Sequence, residues 1–144
     1  MKKLEKSVSI NSPIDKVFNY ISDPMNNTEW LPSMIEIKDV DLKDEGVGTS
    51  YHWIYKMGGI KFSGESVCTE YATNKKIVVQ SKGGIKSMWD WTFEQQESGT
   101  NTKLIVEYDI PIPVLGKLAE AIVLKQNNKE ADQAMANLKK ILES

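Results

Sequence analysis

The chain has 144 residues and a formal net charge of −2. It is long enough to bury a real core as one domain over residues 1–144, and it offers no general electrostatic attraction to nucleic acid or to anionic membranes. All eighteen basic residues are lysines, which argues against a site that clamps phosphate or carboxylate with arginine. With one cysteine (Cys68) and one histidine (His52), an internal disulfide and a zinc site are excluded, and no metal or cofactor is predicted.

The first residues, Met-Lys-Lys-Leu-Glu-Lys, contain no apolar core of signal-peptide length, and no other run approaches the length of a membrane span. We therefore predict a cytoplasmic protein without stable membrane insertion. The oligomeric state stays open from the sequence, and a monomer is compatible with it.

The first predicted elements are a strand over Leu4–Ile10 and a helix that follows it. Ser12 suits the N-cap of this helix and Pro13 its first position. The helix ends at Asp23-Pro24, and a short second helix is predicted over Asn26–Trp30. The buried stripe of the first helix is predicted to be Ile14, Val17, Phe18 and Ile21.

From Met34 to Tyr108 the apolar residues recur with period two, which predicts six strands joined by glycine-containing turns. The predicted strands are Met34–Leu42, Thr49–Met57, Lys61–Tyr71, Ile77–Ser81, Lys86–Gln95 and a last one in which Thr102, Leu104, Val106 and Tyr108 alternate with charged residues. Strands in succession with short turns form an antiparallel meander with one apolar face, and this face must be covered.

The C-terminal segment is predicted to be one long helix, because nothing interrupts it after Gly116. It carries two apolar sets about 120° apart at roughly 100° per residue, separated by the polar run 125–130. Either one straight helix packs on two surfaces, or the helix bends near Asn127 and Asn128. On a functional interpretation, the first half is a movable wall over a cavity and the second half is its anchor. The break in the stripe also suggests the hypothesis that Gln126 or Asn127 supplies a polar anchor at the far wall of the cavity.

Several short motifs, spread in order over almost the whole chain, resemble those of the helix-grip (SRPBCC) superfamily. This superfamily contains the START lipid-transfer domains, the birch pollen allergen and the polyketide cyclase/dehydrase proteins. The motifs are Ser9–Phe18, Asp23-Pro24, Trp30-Leu31-Pro32, Glu65–Tyr71, Gly83-Gly84, Trp89–Phe93 and Gly99–Thr102. The resemblance implies an α+β helix-grip (START-like) fold: a seven-stranded curved antiparallel sheet wrapped around a long C-terminal helix, with two short helices between strands 1 and 2.

The resemblance also implies a cavity between the sheet and the helix, and strand parity is consistent with it. A cavity walled by aromatic rings suits a small hydrophobic molecule, although the side chains could instead fill the space completely. The predicted ligand-binding residues are Trp30, Tyr51, Trp53, Tyr55, Met57, Trp89, Trp91, Phe93, Leu104, Tyr108, Leu115, Leu118, Ile122 and Gln126.

Enzymatic chemistry has few candidate residues. Parity places His52 on the outer face, so no Ser-His-Asp set can be assembled, and Cys68 is expected to pack as a small apolar residue. The family's cyclases use acid/base side chains inside the cavity. The candidates here are Tyr51, Tyr55 and Tyr108, which could polarise a carbonyl, and Glu65, which could act as a base.

Three classes of function follow from the resemblance. The first is binding or transport of a small hydrophobic ligand (a lipid, polyketide-like or aromatic molecule), with Gly58-Gly59, Gly83-Gly84 and Leu115–Val123 as a flexible entrance. The second is a polyketide cyclase, aromatase or dehydratase. The third is a co-chaperone-like interaction module, whose cue would be an exposed apolar patch around Trp30, Leu31 and Pro32.

Overall fold

The computed structural model of the protein describes residues 1–144, apart from the side chains of Ile112 and Val114. The strands are β1 (Lys2–Ile10), β2 (Met34–Asp41), β3 (Ser50–Met57), β4 (Ile60–Ala72), β5 (Lys76–Ser81), β6 (Ser87–Gln96) and β7 (Gly99–Tyr108). The helices are α1 (Ile14–Ser22), α2 (Asn27–Trp30), α3 (Ile112–Leu115) and α4 (Glu120–Glu143), with 3₁₀ turns at Pro24–Asn26 and Lys117–Ala119. Within the described residues no helix is long and apolar enough to cross a membrane.

The seven strands form one antiparallel sheet in the order β1-β7-β6-β5-β4-β3-β2. Strands β2 to β7 follow one another as hairpins, and β1 lies at the far edge beside β7, with Leu4 opposite Val106. The predicted helix-grip arrangement of curved sheet, short helices and long C-terminal helix is confirmed. The predicted strand ends are mostly correct to within two residues, but β7 begins earlier, at Gly99, because Gly99 pairs with Gln96 across the turn.

The helix α1 is held against the sheet by aromatic packing. Phe18 is fully buried, and its ring meets those of Tyr71 and Phe93 edge-to-face at centroid distances of 5.2 Å each. The predicted N-cap is wrong: Pro13, with an extended backbone, occupies the cap position, and the helix starts one residue later. The carbonyl of Ser12 instead accepts a hydrogen bond of 2.9 Å from Thr100 Oγ1, which ties the helix start to β7.

The edge strand β2 is irregular. Its pairing with β3 shifts register between Met34 and Glu36 and again between Lys38 and Asp41. Between the last two, Asp39 adopts a φ of 53°, in the left-handed region that residues with side chains seldom occupy. As a result the predicted alternation fails locally: Ile35 is exposed, whereas Ile37 is buried.

The helix α4 runs without interruption through Asn127 and Asn128. The expected second packing surface does not form, because Leu118 and Ile122 of the first apolar set are exposed. The 24 residues of α4 span about 36 Å. The helical backbone is interrupted before α4 rather than near Asn127, at Gly116 and the turn that follows it. Gly116 has a φ of 83°, a conformation that favours glycine, and a 3₁₀ turn separates it from α4.

The helix α4 runs alongside β1 in the same direction, as the contacts from one end to the other demonstrate. Lys2 and Lys6 form ion pairs with Glu120 (2.9 Å) and Asp132 (2.8 Å). Further on, Lys139 Nζ donates to the carbonyl of Ser9 at 2.8 Å. At the C-terminal end, the backbone N–H of Asn11 donates to Glu143 Oε2 at 2.7 Å. The C-terminal half of the helix is therefore fastened to the sheet edge.

Candidate ligand-binding cavity

A cavity of about 140 Å³ lies between the inner face of the sheet and α4. In another protein, a dry cavity of about 150 Å³ is large enough for a benzene molecule. All four tryptophans and four of the five tyrosines line this space, whereas Phe18, Phe62 and Phe93 are not among the lining residues. The free space therefore corresponds to about one aromatic ring, surrounded by indole and phenol side chains.

Alternation along β3, β6 and β7 places most of the predicted residues in the cavity wall. Those that line it are Trp30, Tyr51, Trp53, Tyr55, Met57, Trp89, Trp91, Leu104 and Tyr108. Phe93 is buried beside them but stacks on Trp91 and packs edge-to-face on Phe18, outside the wall. The period-two pattern was thus a reliable guide to the inner face of the sheet.

The predicted helix residues lie elsewhere. Leu118 is 99% exposed and Ile122 62% exposed, Gln126 also faces solvent, and Leu115 packs against Gly58 in the β3–β4 hairpin. The inward stripe of α4 consists of Val123, Asn127, Glu130, Ala131, Ala134 and Met135. It lies one residue further along than predicted, because the chain breaks at Gly116 and α4 begins only at Glu120, after a 3₁₀ turn. Leu118 and Ile122, which both follow the break, are left facing solvent.

A cluster of polar groups closes one part of the cavity. We call Tyr55, Tyr108, Asn127 and Glu130 the polar pole. The hydroxyl of Tyr55 donates to the carboxylate of Glu130, and Asn127 Nδ2 donates to the hydroxyl of Tyr108 at 3.0 Å. Sequence reasoning missed Glu130. The available signal was its position in the polar run 125–130, in phase with the apolar stripe of the second half of the helix.

The protein environment shifts the ionisation of this pole. Burial raises the pKa of Glu130 above its ordinary value, and the hydrogen bonds from Tyr55 and from the backbone of Ser33 oppose that rise without cancelling it. The pKa of Tyr55 is raised as well, by burial first and then by the negative charge of Glu130. Tyr55 therefore remains a neutral hydrogen-bond donor, and Glu130 is a carboxyl that holds its proton more readily than a solvated one.

A second set of polar side chains on the cavity wall is engaged in hydrogen bonds within the protein. Trp53 Nε1 donates to Ser66 Oγ at 2.8 Å. Tyr51 lies next to Ser66 and Asn27, and burial raises its pKa to about 12, although these two hydrogen bonds lower it. Cys68, also in the wall, has its thiol pKa raised by burial and donates to the carbonyl of Glu70 at 3.3 Å.

Glu65, predicted as a base inside the cavity, lies on the outer face. Ser66 is the inward neighbour on β4, and alternation turns Glu65 away, where its carboxylate contacts His52 Nε2 at 3.2 Å. His52 Nδ1 in turn lies 3.0 Å from Asp39. His52 is thus on the outer face, as predicted. Among the described residues no group of three or more His, Cys, Asp and Glu side chains could hold a metal ion.

The predicted interaction patch around Trp30 is not a surface feature. Trp30 and Leu31 are 3% and 4% exposed. The indole of Trp30 packs edge-to-face on Trp91 at 5.5 Å, and its carbonyl accepts from Asn137 Nδ2 at 3.0 Å. Two large apolar side chains gain more by closing the cavity than by facing water.

The raised pKa of Glu130 gives a stability prediction with a defined sign. The unfolded chain releases this proton near pH 4.3, earlier than the native state does. The native state is therefore penalised progressively as the pH rises through the pKa of the folded carboxyl. We expect Glu130→Gln, which keeps an acceptor for Tyr55, to gain stability relative to the wild type between pH 4 and pH 8, as measured by urea unfolding.

Glu143→Gln is the matched control for this experiment, with the opposite sign. The pKa of Glu143 is lowered by hydrogen bonds from the Asn11 backbone and from Lys139. The wild type should therefore lose stability relative to this variant as the pH falls through the acidic range. Parallel pH profiles for the two variants would contradict the assignment for Glu130.

A curved antiparallel sheet closed over an aromatic cavity by a C-terminal helix defines a helix-grip protein. Residues 1–143 match the model of the family described as polyketide cyclase / dehydrase and lipid transport, and the chain belongs to that family. No curated protein matches the chain by sequence.

Solved structures agree with the fold. The protein TTHA0849 from Thermus thermophilus superposes with a TM-score of 0.81 at 20% identity, over 96% of this chain and 95% of that one. The Zhui aromatase/cyclase from Streptomyces superposes with a TM-score of 0.73 at 11% identity, over 96% of this chain and 94% of that one. A START superfamily protein from Mycobacterium smegmatis superposes with a TM-score of 0.72 at 15% identity, over 98% of this chain and 97% of that one. At these identities the likeness is one of fold.

Proposed function

We propose that residues 1–144 act as a single binding domain that takes up a small, mostly apolar ligand carrying one polar group. The observation that carries this proposal is the cavity of about 140 Å³, walled by tryptophans and tyrosines and closed by the polar pole. The ring of the ligand would occupy the aromatic space, and its polar group would reach Glu130 or Tyr108.

Both parts of the site are needed for useful affinity. Burying one aromatic ring contributes roughly 1.5–3 kcal/mol, which is only about a 10- to 150-fold gain in binding. A hydrogen bond to a charged group adds about 1.5–3 kcal/mol. An apolar molecule without a polar group would therefore bind weakly, and one that also engages the polar pole would bind substantially more tightly.

A ligand larger than one ring requires the cavity to widen. We place the entrance where the β3–β4 hairpin meets the irregular segment before α4, since Gly58 there lies against Leu115 and Val123. The segment 112–119 contains only a four-residue helix and a 3₁₀ turn on either side of Gly116. Displacing it breaks few backbone hydrogen bonds, so it is the least costly part of the wall to move.

Filling the cavity should abolish binding. Ala131 lies in the cavity wall on α4, and Ala131→Phe adds one ring to a space of about one ring. We expect at least a tenfold loss of affinity for 2-phenylethanol, measured by isothermal titration calorimetry. The control is Ala136→Phe, which makes the same change at an exposed position of the same helix. Equal affinities in the two folded variants would overturn the cavity as the binding site.

A second function, dehydration of a bound hydroxyketone, is favoured by the pairing of Tyr55 with Glu130. The ionised carboxylate of Glu130, a stronger base because its pKa is raised, can accept the α-proton of the ketone. The resulting carboxylic acid can then protonate the β-hydroxyl, which leaves as water. Incubation with 4-hydroxy-4-phenylbutan-2-one followed by mass spectrometry distinguishes the two functions. A carrier returns the compound unchanged, whereas a dehydratase removes one water and Glu130→Gln abolishes that loss.

A further inference from the structure

We propose that the polar pole selects amines, so that the cavity binds an arylalkyl ammonium ion in preference to an alcohol or a carboxylate of the same size. This inference rests on the proposed binding function and names the class of ligand. It follows from four properties of the cavity: its charges, its unused hydrogen-bonding groups, the type of its aromatic rings and the cost of its buried carboxyl.

The first property is charge. Glu130 is the single acidic residue among the described residues that line the cavity, and none of those residues is a lysine, arginine or histidine. None of the ion pairs between described residues includes Glu130. A ligand carboxylate would find no counter-ion there and would be repelled by Glu130, whereas a ligand cation would find an unmatched carboxylate.

The second property is the balance of donors and acceptors. Tyr55 donates to Glu130, and one N–H of Asn127 donates to Tyr108. The donors that remain are the O–H of Tyr108, the second N–H of Asn127 and, elsewhere in the wall, Trp30 Nε1. The acceptors are more numerous: an ionised carboxylate has about four lone-pair sites, and the amide of Asn127 adds its oxygen. An ammonium group brings three donors and no acceptor, which complements this surplus.

The third property is the nature of the rings. The aromatic part of the wall consists of tryptophans and tyrosines, including the pole residues Tyr55 and Tyr108. A cation is attracted to the face of an aromatic ring, most strongly to that of tryptophan, and the attraction grows when water is excluded. An apolar ligand would be served equally well by phenylalanine, so this composition favours a cation.

The fourth property is the free-energy cost of burying the carboxylate of Glu130 when no ligand is bound. Burial without a counter-ion disfavours the charged form of Glu130, which is the cause of its raised pKa. The groups that face it are uncharged: Tyr55 from β3, the Ser33 backbone before β2 and the nearby Tyr108 from β7. An ammonium ion supplies the missing charge and removes this cost, which neither an alcohol nor a carboxylate can do.

The test compares three probes of nearly equal size at pH 7: 2-phenylethylamine, 2-phenylethanol and phenylacetate. We expect the amine to bind at least tenfold more tightly than the alcohol, and phenylacetate to bind most weakly. In Glu130→Gln the amine should lose its advantage over the alcohol, and a cooperative urea unfolding transition shows that the variant is folded. Glu120→Gln makes the same chemical change at a residue paired with Lys2 outside the cavity wall, and it should preserve the preference.

The outcomes separate the two levels of inference. If the alcohol binds and the amine binds no more tightly, amine selection is wrong and the proposed binding function stands. Amine selection by Glu130 is equally wrong if the preference survives in Glu130→Gln or disappears in Glu120→Gln. If none of the three probes binds, the proposed function fails together with the inference.

Discussion

Replacing Leu138 by alanine is expected to lower the free energy of unfolding by about 2–5 kcal/mol, because the truncation leaves a cavity in a packed core. Leu138 is fully buried in the half of α4 that is fastened along β1. Urea unfolding followed by circular dichroism measures the change. A loss of this size would leave a domain of ordinary stability close to unfolding.

Leu118→Ala is the matched control, since the same three carbon atoms are removed from a side chain that is 99% exposed. Its effect should stay within about 0.5 kcal/mol. The pair also tests the phase of the C-terminal helix directly. A large loss in Leu118→Ala with a small one in Leu138→Ala would contradict this orientation, in which Leu138 faces the sheet and Leu118 faces solvent.

Gly64→Ala is expected to destabilise the fold by about 1–3 kcal/mol or more, through overpacking. A Cβ at this position would lie 2.2 Å from the carbonyl oxygen of Gly83 and 2.4 Å from the ring of Trp53, its cross-strand partner. Backbone or indole must move to relieve these contacts. Because Trp53 lines the cavity, the variant should also bind 2-phenylethanol more weakly and show altered tryptophan fluorescence.

Gly83→Ala provides the comparison for this substitution. A Cβ at Gly83 would meet nothing within 4 Å, so the change should be nearly neutral and should leave the fluorescence unaltered. Thermal unfolding of both variants is sufficient as a measurement. Equal melting temperatures would contradict the close approach of β4 to Trp53 and to the β5–β6 turn.

The inner face of the sheet and the buried face of the second half of α4 were predictable, whereas the orientation of the residues around the start of α4 was not, for a physical reason. On β3, side chains alternate strictly, so Tyr51, Trp53, Tyr55 and Met57 could be assigned to one face without knowledge of their partners. For a helix the inward face depends on where the helix begins. The turn at Gly116 delays the start of α4 and so changes which residues face the sheet. Leu118 and Ile122 have the spacing of a buried stripe in the sequence, but both are exposed in the structure.

Glu130, the carboxyl of the polar pole, escaped prediction for a different reason. Hydrophobic periodicity identifies residues that avoid water by packing on other apolar groups. A cavity wall also needs polar groups, and these interrupt the very pattern that locates a buried face. Glu130 therefore reads as part of a solvated stretch of helix, and the break in the apolar stripe suggests a polar anchor only at Gln126 or Asn127. The role of Glu130 emerges only when Tyr55, distant in sequence, is seen to meet it.

The two edge strands of the sheet, β1 and β2, affect whether copies of this chain can associate through their sheets. An unprotected outer strand offers free N–H and C=O groups to any other strand and so promotes fibrous aggregation. Here β1 carries the lysines that bind α4 alongside it, and β2 is distorted twice, with Asp39 in a left-handed conformation. Charge at one edge of the sheet and irregular backbone at the other both disfavour the addition of a strand from another molecule. The exposed side chain of Leu118 therefore does not by itself lead to polymerisation through the sheets.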